Sequence, residues 1–71
     1  MKKIKIDSST IDNISYDINK RLLVVEFIRG AVYQYRCVDY IDVLGILFSD
    51  SSGSYFMKHV AKNYEYNKIK D

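Results

Sequence analysis

The sequence has no proline and no tryptophan, one cysteine, one histidine and three glycines among 71 residues. A single cysteine cannot pair within the chain, which excludes a disulfide scaffold. One cysteine and one histidine, Cys37 and His59, fall short of the roughly four closely spaced ligands of a zinc site, so neither metal nor cofactor is expected. Charge of one sign is also scarce. The net charge of +2 is too small for a basic nucleic-acid arm. No apolar run nears the roughly 20 residues that span a bilayer. Ile4-Lys5-Ile6-Asp7 interrupts any signal segment that Met1-Lys2-Lys3 opens. No repeat and no low-complexity segment occurs. These absences predict no membrane contact, and a lone thiol without an export signal fits a reducing cytoplasm.

What is present describes a small folded domain. The apolar fraction of 48% with 28% charged residues excludes a collagen-like or disordered polymer. A chain this short holds one core, so residues 1–71 form a single domain. Such a domain buries about 60% of the surface that its unfolded chain exposes, and its stability is on the order of 3–5 kcal/mol. Seven tyrosines and three phenylalanines are therefore expected mostly inside, since each buries roughly 150–250 Å².

The apolar pattern has period two in the first half. Residues 1–6 alternate Lys and Ile and are expected to be a peripheral tail or a late-docking strand. Residues 11–16 form a first strand, with Ile14 and Tyr16 on one face. Asp17 and Asn19 supply turn chemistry. Leu22 to Phe27 is a second strand, rich in β-formers and too short for a helix. Residues 31–38 are a third. The loop Ile28-Arg29-Gly30 predicts a type I turn closed by a bulge, with Gly30 in the left-handed region. That loop pairs Phe27 with Ala31, Val25 with Tyr33 and Leu23 with Tyr35, and puts all six on the core face. A two-residue loop mixes polar with apolar, and register follows the apolar face. Leu22, Val24, Glu26, Gln34 and Arg36 then face the other way.

After Val38 the period lengthens. Asp39 is an expected N-cap, with Asp42 at the third helical position. Ile41, Leu44 and Phe48, joined by Tyr40 and Leu47, form the expected buried stripe. Ser49 to Gly53 stops this helix, and Ser51 or Ser52 caps a second that carries Tyr55, Phe56, His59, Val60 and Asn63. Residues 67–71 are expected to be solvated. The predicted fold is α+β: a three-stranded antiparallel sheet (β-β-β) followed by two short helices packed on one face, with the core within about residues 8–69.

These residues resemble the KTSC domain, a short domain found at the C-terminus of some lysyl-tRNA synthetases and as stand-alone bacterial proteins. The pattern runs through Ser8-Ser9, Ile11, Ile14, Tyr16 and Asp17. It continues through Leu23, Val25, Phe27, Gly30, Val32, Tyr33, Tyr35 and Val38. It closes with Leu44, Ser51, Gly53, Tyr55, Phe56, Val60, Tyr64, Tyr66 and Ile69. Tyr33-Gln34-Tyr35 and Gly53-Ser54-Tyr55-Phe56 are its most specific pieces. Asp39 departs from a frequent proline, and a capping residue serves the same break. The resemblance implies the α+β fold and an RNA connection, and brings no catalytic residues with it.

Tyr33 and Tyr35 suit base stacking, yet their parity with Val25 and Leu23 makes them core. Lys20, Arg21, Arg29, Arg36, Lys58 and Lys62 are the candidate phosphate contacts. Leu22 and Val24, on the uncovered sheet face, are the candidate contacts for a protein partner or a second copy. A Cys37–His59 nucleophile pair is disfavoured, because a small-domain cysteine is usually inert. Ser51-Ser52-Gly53-Ser54 lacks the lysine and glycine spacing of a phosphate loop and is read as a capped turn. The expected function is a non-enzymatic binding module for nucleic acid, more specifically RNA. The alternative is a protein-interaction module or small regulator acting through the open sheet face.

Overall fold

The computed structural model describes residues 2–71. Seven elements follow in order: β1 (Ile4–Lys5), β2 (Ile11–Asp17), β3 (Leu22–Phe27), β4 (Val32–Tyr35), α1 (Tyr40–Phe48), α2 (Ser52–His59) and β5 (Tyr66–Lys70). The strands form one antiparallel sheet in the order β1-β2-β3-β4-β5. The class is α+β as expected, with five strands rather than three. Among the described residues no helix is long and apolar enough to cross a membrane.

The central hairpin follows the predicted register. Leu23 faces Tyr35 and Val25 faces Tyr33. The Phe27 N–H donates to the Ala31 carbonyl at 2.9 Å, and the Gly30 N–H to the Phe27 carbonyl at 2.8 Å. Gly30 has φ 104°, a conformation that glycine adopts without a Cβ penalty. At the other end, Asp17 Oδ1 accepts from the N–H groups of Asn19 (3.0 Å) and Lys20 (3.1 Å), a side chain closing its own turn.

Both outer strands were expected to be peripheral. Residues 4 and 5 take the strand alternative and pair at the sheet edge with Ile14 and Asn13, with Ile6 drawn into the core. Lys3 and Lys5 then reach Glu26 (2.8 Å) and Asp12 (2.5 Å), so the lysines that suggested a tail lie along a paired edge. Residues 66–70 add a strand beside β4, matching Tyr66 to Tyr35 and Lys68 to Tyr33. Every residue of β5 is exposed. Its hydrogen bonds to β4 hold it, which a hydropathy pattern does not register.

The core joins Ile11, Ile14, Leu23, Val25 and Tyr35 of the sheet to Val43, Ile46 and Phe56 of the helices and to Val60 just past α2. Both helices therefore cover one face. α1 is rotated from the expected stripe. Val43 and Ile46 are buried, whereas Ile41 is 73% and Phe48 80% exposed. The rotation is set by a close approach: a Cβ on Gly45 would lie 2.0 Å from Tyr55 Cζ. The Tyr55 ring crosses α1 at its one bare position, and its hydroxyl donates to Asp42 Oδ1 at 3.0 Å. Asp39 stands at the N-cap without a side-chain cap bond, because its carboxylate is engaged by Arg21. Ser51 does cap α2, accepting from the Ser54 N–H at 3.3 Å. The Ser52 hydroxyl donates to the Ile46 carbonyl at 2.6 Å, satisfying one of the unpaired acceptors at the end of α1.

Candidate nucleic-acid interface

The helices leave uncovered the corner of the core face nearest β5. There the register stacks aromatic rings across β3, β4 and β5. Tyr33 and Tyr66 have centroids 5.4 Å apart with planes at 24°. Phe27 meets Tyr33 edge-on at 5.6 Å. Phe56 meets both Phe27 (5.6 Å) and Tyr35 (5.4 Å) from below. Tyr35 is buried at 3% exposure, Tyr33 is half-buried and Tyr66 is 52% exposed. Burial thus falls outward along the stack and ends in a ring with an open face. The resulting groove has a volume of about 310 Å³ and is completed by Thr10, Met57, Ala61 and Arg29.

Two cations stand over these rings. Arg29 Cζ is 5.7 Å from the Phe27 centroid, and Lys68 Nζ is 5.8 Å from that of Tyr33. A groove whose own cations already occupy ring faces disfavours a cationic guest. It suits a planar, anionic one, with a ring on the exposed side of Tyr66 and an anion at the basic rim.

Of the six basic residues singled out from sequence, Arg29 lies at this groove. Lys20 and Arg21 lie on the β2–β3 turn, at the opposite end of the antiparallel sheet. Arg21 is paired with Asp39, and Arg36, just past β4, stands 3.9 Å from Glu65. Lys58 borders a different hollow, and Lys62 is exposed beyond α2. The six are therefore distributed over several surfaces. Lys68 falls within residues 67–71, which the sequence marks as solvated, and Tyr66 enters there only through the family pattern. Leu22 and Val24 occupy the face away from the helices, half-buried beside Gln34 and Ser15.

The hollow at the start of α2, about 510 Å³, is lined by Ser8, Thr10, Ser51, Gly53 and Lys58, with Asp7 and Asp50. Its two carboxylates oppose an anion, and the capped-turn reading stands there. Between the helices, the Tyr64 hydroxyl donates to Asp42 Oδ2 at 2.5 Å, opposite the bond from Tyr55. Burial first, and then this bond to Asp42, push the Tyr64 hydroxyl up to about 12. This network ties α1 to the turn after α2. Exposed Cys37 follows β4 with φ 58°, and the His59 ring packs on Tyr55 at 4.3 Å.

Tyr35 also gives the domain an alkaline limit. Burial above all, with Tyr33 and Tyr66 adding, pushes its hydroxyl up to about 12. Unfolded tyrosine titrates near 10, so the folded state holds this proton more tightly. The contribution is complete below about pH 10 and disappears as pH rises through about 12, on the order of 2 kcal/mol. Thermal unfolding followed across that window is expected to show Tm falling, and falling less in Tyr35→Phe. An equal fall in both proteins would remove Tyr35 as the cause.

A family model described as the KTSC domain matches residues 7–64. A protein of Stutzerimonas stutzeri, described as uncharacterized, is 34% identical over 70 residues, covering 97% of this chain and 99% of its own. The crystal structure of a KTSC domain protein from Yersinia pestis superimposes with a TM-score of 0.88 at 28% identity, covering 96% of each chain.

Proposed function

Because the chain belongs to the KTSC domain family, whose name carries no activity, its function has to be argued from its own surface, and we propose that it is a binding module for single-stranded RNA. The observation that carries this reading is the half-exposed Tyr66 ring stacked on Tyr33, with Lys68 and Arg29 over the adjoining rings. Stacking accepts any base, because every base has a π-face. Two cations at the rim hold backbone without reading sequence. An A-form duplex hides its base faces, so the ligand is a strand with unpaired bases.

The test is a titration with short single-stranded RNA, the matching DNA and an RNA duplex at low ionic strength, repeated as salt is raised. Single strands are expected to bind and the duplex to bind more weakly. With one phosphate held between the two cations, log affinity should fall with log salt at a slope of about −0.7. Absence of binding to any oligonucleotide at low salt removes the RNA reading. A salt-insensitive protein partner lost in Leu22→Glu or Val24→Glu would put the open sheet face in its place.

A further inference from the structure

Each cation of the groove rim sits on its own ring, and the two rings touch: Phe27 and Tyr33 are edge-to-face at 5.6 Å. The register brings this about. β5 places Lys68 opposite Tyr33, and the bulged β3–β4 turn places Arg29 beside Phe27. The rim also contains an anion. Asp71, one residue past β5, forms an ion pair with Lys68. We infer that the space bounded by Arg29 and Lys68 is the phosphate position of the groove, and that the Asp71 carboxylate fills it when no ligand is bound.

The inference rests on the RNA reading for the identity of the ligand, and on the ion pair and the two ring-seated cations for its location. Lys68 holds the Asp71 carboxyl below the usual carboxylate range, first by hydrogen bonding and then by charge, and Arg29 acts on it in the same direction. Arg29 and Lys68 also repel each other. Seated over two rings that touch, the two like charges favour an anion between them. A carboxylate offers one negative charge and two acceptor oxygens, a smaller version of what a phosphodiester presents. The resident pair is weak enough to exchange, because the Lys68 side chain is 47% and the Asp71 side chain 87% exposed. Exposed pairs of this kind shift equilibria by small factors.

The groove's ligand is therefore a nucleotide unit: a base on the exposed side of Tyr66, with its phosphate displacing Asp71. The experiment compares the full chain with Asp71→Asn and with Glu65→Gln. Glu65 is an equally exposed acid paired with Arg36, so its loss changes net charge by the same amount. The probes are a pyrimidine nucleoside, its 5′-monophosphate and inorganic phosphate, followed by amide and side-chain chemical shifts. In Asp71→Asn the monophosphate is expected to bind about two- to five-fold more tightly, with the nucleoside unchanged. Glu65→Gln is expected to match the parent chain. Equal tightening in Glu65→Gln reduces the effect to net charge and overturns the inference, as does tightening of the nucleoside or no change in Asp71→Asn. If no oligonucleotide binds but inorganic phosphate still shifts Lys68 and Arg29 more in Asp71→Asn, the phosphate position stands and the RNA reading alone falls.

Discussion

Phe56→Ala is expected to remove most of the domain's stability at room temperature. Phe56 is 1% exposed and packs edge-on against both Phe27 and Tyr35. It joins the helix layer to the floor of the aromatic groove. Truncating a buried phenylalanine costs about 3–5 kcal/mol, the lost transfer energy plus the cavity left behind. A domain of this size has a total stability of the same order. Phe56→Leu keeps most of the volume and is expected to cost no more than about 1.5 kcal/mol. Urea unfolding followed by circular dichroism checks both. An alanine variant that unfolds at nearly the parent midpoint would show that the core does not close over Phe56.

Tyr66→Ala is expected to weaken single-stranded RNA binding by about five- to 150-fold while the domain stays folded. Removal of a stacking side chain costs about 1–3 kcal/mol per base, and Tyr66 presents the open face of the stack. Its own burial is modest, at 52% exposure on an edge strand, so little of the core depends on it. Tyr40 is the matched comparison. It is 51% exposed and stacks on Tyr16 at 6.0 Å, away from the groove. Tyr40→Ala should leave RNA affinity within about two-fold of the parent, since a surface change usually moves free energy by no more than about 0.5 kcal/mol. Equal losses in the two variants would show that exposed tyrosine in general, and not this groove, supports binding. Tyr66→Phe keeps the ring and should restore most of the affinity.

The parts of the fold legible in the sequence are those whose cause is local. The β3–β4 register follows from the alternation of Leu23, Val25 and Phe27 and from one glycine that accepts a positive φ. The cap at Ser51 follows from hydroxyl chemistry at a helix start. The misread parts have distant causes. The face that α1 buries is decided by Tyr55 crossing Gly45, a contact between two helices. Ile41, Leu44 and Phe48 have an equally good apolar period, and no single-helix pattern separates the two stripes. β5 has no buried residue and exists because β4 offers an unpaired edge. The groove was half legible. Tyr33, Tyr35 and Arg29 were singled out, but Tyr33 and Tyr35 were assigned together to the core. The structure separates them, with Tyr35 inside and Tyr33 on the wall. Their shared parity could not show where the helix layer stops.

That β4 and β5 meet only after both helices have been laid down has a further consequence. The platform is assembled from residues 27–35 and 66–68, which are strangers in the unfolded chain. The complete site exists only in the folded chain, so a ligand of the groove would stabilise the native state. For a protein with so thin a reserve, occupancy and integrity become one quantity. A ligand at one hundred times its dissociation constant adds about 2.7 kcal/mol, comparable to everything else holding the chain together. The cellular half-life of such a small domain would then track the abundance of its guest.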